Sequence, residues 1–202
     1  YEQEHDVLPS PAEVIGTDVI KTSEPTYSGR GKMIRAEYIK KGSSYPAEFV
    51  ANEYAEDRKN LYEQLLLPAL AAGVDVYQSR SFSTSVVFQR QQAFTEGRVF
   101  NVDEIMSIPG NKFCSEHPMD ILVMATIDNV AEVESRYANR KKQDDCKYEN
   151  LAFQLKVKPH FESEEFKTLF ASLGVKIVYL DAGVSVEYSK QQAREFYHQY
   201  LR

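Results

Sequence analysis

Cysteine is scarce in this 202-residue chain: Cys114 and Cys146 are the only two, and they stand in unrelated contexts. That argues against a disulfide scaffold and fits a reducing cytoplasm. Long apolar runs are missing as well. The longest, such as DILVMATI at 120–127, fall far short of a bilayer span, so no membrane role is expected. Positive charge is not in excess, since 24 Lys and Arg face 30 Asp and Glu for a net charge of −6. Nucleic acid and anionic membrane surfaces are therefore not the expected partners. The four histidines, His5, His117, His160 and His198, are scattered without metal-ligand spacing. Neither cysteine has an evident histidine partner, and no Gly-x-Ser-x-Gly elbow occurs. No resident metal site or activated nucleophile is expected from these residues. GRGK at 29–32 is not a phosphate loop either: the positions that would need a glycine and a Ser or Thr hold Thr26 and Met33.

What is present is ordinary for a soluble globular protein, with 43% hydrophobic and 27% charged residues. The length suits one sizeable domain. Four segments read as strands: TDVIKT (17–22), VDVYQS (74–79), DILVMATI (120–127) and VKIVYLDA (175–182). The last two are nearly continuous apolar runs, as expected of strands covered on both faces. Helical patterns separate them, at 30–41, 46–73, 130–140, 148–174 and 185–201, with Pro159 expected to break or kink the fourth. The alternation predicts an α/β fold: a three-layer open parallel sheet with helices on both faces, forming a single domain over 1–202. The chain opens on YEQEHD, which reads like the polar end of a helix already begun, so further residues are expected upstream.

In open α/β sheets, ligands sit beyond the carboxyl ends of the strands. The second strand there delivers Arg80, followed by Ser81, Ser83, Thr84 and Ser85 at the start of a helical pattern. An arginine fork suits a phosphate, and the free amides of a helix start favour anions. Helix capping explains one of these hydroxyls but not the arginine. Tyr54 and Arg58 lie four apart, hence on one helix face. Together they could stack on a base and bond its edge; taken singly, core packing accounts for them. Arg136 and Arg140 are likewise four apart, ahead of Lys141, Lys142 and Lys147. Such a run is usually a solvated face, and in a phosphotransferase it would be a cationic lid.

Thr22-Ser23-Glu24-Pro25, Ile34-Arg35, Tyr54-Ala55-Glu56-Asp57-Arg58, LPALAAGVDVYQSRSFSTSVVFQ, HPMDILVMATIDNVAEVESR and YENLAFQLKV, in this order, resemble thymidylate kinase. The resemblance runs from Asp18 to nearly the end of the chain. It implies a P-loop NTPase-like nucleotide kinase fold and transfer of the ATP γ-phosphoryl group to dTMP with Mg²⁺, giving dTDP. It also implies ATP and dTMP as partners, a cytoplasmic enzyme and a homodimer formed through its helices. Carried over by position, Tyr54 would stack on thymine and Arg58 would bond the base. Arg80 would hold the acceptor phosphate, Thr84 and Ser85 would touch the base, and Phe88 would lie near the deoxyribose. Glu24 and Pro25 would border the pocket. Arg136 and Arg140 would act from a lid spanning about 136–149. The first strand and phosphate loop would precede residue 1, making 7–16 an unusual insertion. Two substitutions depart from the pattern: Ser79 replaces the usual acidic residue before the arginine, and Ser23 replaces an arginine. DDCKYE is also one residue longer than the usual lid spacing. Two alternatives stay open, a non-catalytic nucleotide-binding protein or assembly subunit and a kinase for another nucleotide.

Overall fold

The computed structural model describes residues 1–139 and 145–200. The four expected strands form, as β1 (Val19–Ser23), β2 (Asp75–Ser79), β3 (Ile121–Thr126) and β4 (Lys176–Asp181). They alternate with helices, and every strand pair is parallel, so the α/β class read from the sequence holds. The strands pair as two two-stranded sheets, β1 with β2 and β3 with β4. The chain divides correspondingly into two compact units, Tyr1–His117 with Asp145–Asn150, and Pro118–Asp144 with Leu151–Arg202.

In the first unit, the short helices α1 (Glu2–His5) and α2 (Pro11–Val14) precede β1. Helix α3 (Gly29–Met33) follows it and runs on into a π-helical turn, Ile34–Tyr38. Next comes α4 (Ala47–Leu61), whose buried positions 47, 50, 51, 54, 55, 57, 58 and 61 trace one helix face. Alanines at 47, 51 and 55 favour the helix. Glu48 in its first turn and Arg58 and Lys59 in its last complement the helix dipole. The ladder then widens into a π-helical turn over Tyr62–Leu66 before α5 (Leu67–Ala71). Pro68 is the cause: its ring has no N–H to donate and would crowd the carbonyl of Gln64.

Register pairs Val19 with Asp75 through Ser23 with Ser79, bringing the carboxyl ends of both strands level. Beyond that end the Glu24 amide donates to the Ser79 carbonyl at 2.9 Å, extending the pairing by one step. Helix α6 (Phe82–Thr95) leaves β2 after two residues and is buried almost all round. It packs on α4, as does α8 (Pro109–Ser115), which follows α7 (Val102–Ser107). No sequence pattern announced α8. Its opening Pro-Gly pair reads as a turn, yet Pro109 occupies the first helical position, where its missing N–H does no harm.

In the second unit, α9 (Val130–Ala138), α10 (Leu151–Phe161), α11 (Glu164–Ser172) and α12 (Val186–Tyr200) accompany β3 and β4. Its core holds Val157, Phe166, Phe170, Val175, Val178 and Leu180. The break expected at Pro159 falls slightly later. Pro159 lies inside α10, which ends two residues on, and Ser163 caps α11 by accepting from the Phe166 amide at 3.2 Å. Val123 of β3 is 52% exposed, while Val178 and Leu180 of β4 are buried. Among the described residues no helix is long and apolar enough to cross a membrane.

Gly110, buried at the start of α8, is what lets α8 approach α4. A Cβ there would stand 2.2 Å from the Ala55 carbonyl oxygen. Gly110→Ala must push the two helices apart and should destabilise the first unit by about 1–3 kcal/mol. Urea unfolding checks this, and an unchanged midpoint would contradict the close approach.

Candidate nucleotide-acceptor site

The residues singled out from sequence as lining an acceptor pocket all fall in the first unit. Glu24 and Pro25 follow β1, Arg80 follows β2, Tyr54 and Arg58 lie on α4, and Thr84, Ser85 and Phe88 lie on the first two turns of α6. They divide into a buried ionic cluster and a more open end.

The cluster is centred on Arg58, which is 1% exposed, and Glu24, which is 2% exposed. Arg58 Nε and Nη2 both reach Glu24 Oε2 at 2.7 Å. Nη2 also donates to Ser85 Oγ at 3.1 Å, and Nη1 donates to Asn111 Oδ1. The remaining Glu24 oxygen accepts from Gln78 Nε2. Four contacts thus occupy a fork that carries five N–H donors. Burial raises the Glu24 carboxyl above its ordinary value, and the charge of Arg58 opposes that rise. For Arg58, burial works to lower its value, but the Glu24 carboxylate overrides it and holds the guanidinium above its ordinary range. Arg58 therefore faces Glu24, Asn111 and Ser85, as a buried post between α4, α6, α8 and the end of β1.

A second carboxylate braces the same loop. Asp57 accepts from the Thr26 amide at 2.8 Å and from its hydroxyl at 2.6 Å. Arg35 donates through Nε to the carbonyls of Pro25 at 3.0 Å and Thr26 at 3.1 Å, with its guanidinium 3.9 Å from the Tyr27 ring centroid. The Glu24–Tyr27 segment is thereby held by α4 and by the π-helical turn that follows α3.

At the open end stands Arg80. It is exposed, adopts φ +72° and makes no ion pair among the described residues. A non-glycine residue in this backbone region is uncommon and marks local strain. The next residue, Ser81, caps α6, its Oγ accepting from the Ser83 amide at 3.2 Å. Arg80 is held 5.5 Å from the Phe88 ring centroid, and Phe88 meets Tyr148 edge-on at 5.4 Å. Thr84 is half-buried on the first turn, with its amide bonded to the Ser81 carbonyl at 3.0 Å. Tyr54 is 9% exposed; burial drives its hydroxyl well above the usual phenol range, while the charges of Arg80 and Arg35 pull the other way.

Sequence reasoning assigned no role to Asn111, Gln89, Gln92 or Tyr148, all of which are buried around this site. Tyr148 arrives on Asp145–Asn150, whose backbone bonds to Lys41 and Ile39. The only signal for it was its place in YENLAFQLKV; for the amides there was none. Of the lid arginines, Arg136 lies in the second unit, half-exposed and paired with Glu132 at 2.6 Å, and Arg140 lies outside the described residues.

Among the described residues no three His, Cys, Asp or Glu side chains gather into a metal-binding group. Glu24, the carboxylate best placed to replace the one missing at Ser79, is already held by Arg58 and Gln78. The described residues do not fit a magnesium ion held by their own side chains.

No protein-family model matches the chain. Over 78 residues it is 37% identical to a "Probable thymidylate kinase" of Pyrococcus horikoshii; the matched stretch is 37% of this chain and 38% of that relative. A solved thymidylate kinase from Candida albicans superimposes with a TM-score of 0.66, over 98% of this chain and 86% of that one, at 18% identity. The fold is that of a thymidylate kinase. The resemblance read from the sequence is thus carried by backbone geometry over nearly the whole chain and by sequence identity over 78 residues.

Arg58→Met should destabilise the protein by about 3–5 kcal/mol, because it leaves Glu24 buried without a counter-charge. Adding Glu24→Gln should restore most of that loss in urea unfolding. Additive losses would show that the pair is not coupled. Cys114 offers a second check: burial pushes its thiol up to about 12. At pH 8 the folded protein should leave Cys114 unlabelled by a thiol reagent, with labelling appearing on unfolding; mass spectrometry reads the difference.

Proposed function

We propose that this chain is a nucleoside monophosphate kinase of the thymidylate kinase family, transferring the γ-phosphoryl group of ATP to dTMP to give dTDP. The observation that supports the reading most is Arg80. It is an exposed cation in a strained backbone conformation at the carboxyl end of β2, beside the capped start of α6 and over the ring of Phe88. In this reading Arg80 holds the acceptor phosphate bidentately, aided by the amides of the α6 start. Tyr54 and Phe88 form the aromatic walls for the base and deoxyribose, with Thr84 and Ser85 beside the base. Arg58 offers its remaining N–H toward the base edge while its other donors fix Glu24, Asn111 and Ser85. Glu24 and Pro25 border the pocket, and Arg136 and Arg140 act from the lid over about 136–149. Catalysis rests on positioning and on cationic charge around the transferring group. The donor is Mg²⁺-ATP, as the resemblance implies. The single-domain reading over 1–202, the cytoplasmic setting and the homodimer belong to the same proposal.

One observation favours a second reading. With Ser79 in the acidic position and Glu24 engaged by Arg58, neither of the two positions following β1 and ending β2 offers a free carboxylate among the described residues. A non-catalytic nucleotide-binding protein would look the same. The acceptor could also differ: the Candida albicans enzyme is itself described in terms of broad substrate specificity.

ADP formation from Mg²⁺-ATP by the full-length gene product, with and without dTMP, separates these readings. dTMP-dependent turnover supports the kinase, and binding of dTMP without turnover supports the non-catalytic protein. Competition with dUMP and dGMP identifies the acceptor. Arg80→Gly should lower dTMP-dependent turnover by roughly 100-fold or more while leaving thermal stability equal or higher, since glycine relieves the positive φ. Turnover near wild type in this variant would end the assignment of Arg80.

A further inference from the structure

Rejected as a phosphate loop, GRGK at 29–32 has no role in the sequence reading, but the structure gives one to its second glycine. Gly31, buried on α3, lies directly against Thr26. A Cβ there would stand 2.3 Å from Thr26 Oγ1 and 2.4 Å from both the Thr26 amide nitrogen and its carbonyl oxygen. Two of those atoms are backbone, so any larger residue at 31 must displace Thr26 itself. Thr26 also meets Asp57 of α4, which accepts from its amide and its hydroxyl. The hydroxyl oxygen lies 3.0 Å from the Ser28 carbonyl as well. Thr26 and Asp57 are both buried, so this seat is closed to solvent.

Consecutive residues of α4 thus grip the loop after β1 at two points. Arg58 takes the Glu24 side chain, and Asp57 takes the main chain at Thr26. The first grip alone leaves the backbone beyond Glu24 free to turn about its own dihedrals; the second, on an amide, does not. Between them lies Pro25, also buried, and the carbonyls of Pro25 and Thr26 carry the Arg35 guanidinium. The loop begins beside the proposed phosphate site: the Glu24 amide bonds the carbonyl of Ser79, the residue before Arg80. Beside the dominant effect of burial, the charges of Arg80 and Arg35 both act on the Tyr54 hydroxyl. The loop and the end of β2 therefore converge on Tyr54.

We propose that Asp57 is a positioning residue of the acceptor site: by holding Thr26 against Gly31 it sets Pro25 and Arg35, and through them the wall that an acceptor nucleotide meets. This rests on the nucleotide-acceptor reading above, in which Glu24 and Pro25 border the pocket, and deepens it. No substrate contact is ascribed to Asp57, which is turned to Thr26. What the seat needs from residue 57 is an oxygen for the Thr26 amide and a partner for its hydroxyl. Asparagine supplies both: its oxygen accepts from the amide, and its NH₂ donates to the hydroxyl, whose own proton then turns to the Ser28 carbonyl. Alanine leaves the amide buried without a partner.

Steady-state kinetics of the full-length gene product, with dTMP and Mg²⁺-ATP varied in turn, test this. Asp57→Ala should raise the KM for dTMP by roughly tenfold or more and leave the KM for ATP in place. Asp57→Asn should bring the KM for dTMP back near wild type. Thr26→Val keeps the side-chain volume and the amide bond but loses the hydroxyl, so it should give a smaller rise that Thr26→Ser reverses. That pair carries the test if Asp57→Ala does not fold. Gly31→Ala displaces Thr26 without touching Asp57 and should raise the same KM. If Asp57 and Thr26 only hold the fold together, the variants lower the yield of folded protein while the folded remainder keeps the wild-type KM for dTMP, and that result overturns the proposal. Where wild type binds dTMP without turnover, the dissociation constant from calorimetry is read in place of the KM. Wild type that neither turns over nor binds dTMP ends the acceptor reading, and the role of Asp57 falls with it.

Discussion

The Glu24–Arg58 ion pair is the constraint around which the first unit is arranged. Both side chains are removed from water, a step that is strongly unfavourable for each charge alone. The structure offsets it by satisfying both groups: two guanidinium contacts and a glutamine amide on Glu24, and Asn111 and Ser85 on Arg58. Each partner comes from a different element. Glu24 directly follows β1, Gln78 lies in β2, Arg58 in α4, Ser85 in α6 and Asn111 in α8. A charge pair of this kind tolerates little displacement, because every element that drifts leaves a buried polar atom unpaired. Five elements are therefore held in register at the sheet's carboxyl end, where the acceptor is proposed to lie.

Gly110 shows how packing serves that cluster. Its missing side chain allows α8 to begin directly against the α4 backbone, and the next residue, Asn111, can then reach Arg58 with its oxygen and the Ile105 carbonyl with its nitrogen. Steric permission at one residue sets electrostatic satisfaction at the next. Arg80 is the contrasting case. It belongs to the same end of the sheet but stands exposed, at positive φ and without an ion-pair partner among the described residues. Strain of this sort persists only where surrounding structure enforces it, and here β2 on one side and the Ser81 cap on the other do so.

The strands were legible because β-branched and apolar runs bounded by polar turns carry their own signal. All four appear within two residues of their expected bounds. Helix α4 was legible from its periodicity, but the π-helical turn ahead of Pro68 was not, since its cause lies two residues beyond the segment it distorts. Helix α8 was invisible because Pro-Gly signals a turn unless a neighbouring backbone is known to need the glycine. The site was legible in part. Arg80 was conspicuous as a cation after a strand. Arg58 was noticed, but as a candidate to touch a base; that most of its fork faces inward depends on Asn111, more than fifty residues away in sequence.

The glutamines of α6 mark the limit of sequence reading most clearly. Gln89, Gln91 and Gln92 look like the solvated side of a surface helix, yet all three are buried. Amides suit such a place because each carries both a donor and an acceptor, so a chain of them can transmit orientation without any charge. The direction of that chain is imposed by groups that can only accept, the Tyr45 carbonyl and the Glu96 carboxylate. Charge and polarity thus play separate parts in this unit. The Glu24–Arg58 pair fixes where the elements stand, and the α6 amides fix which way a hydrogen bond can point. A substitution that preserves side-chain volume along α6 would keep the first property and lose the second.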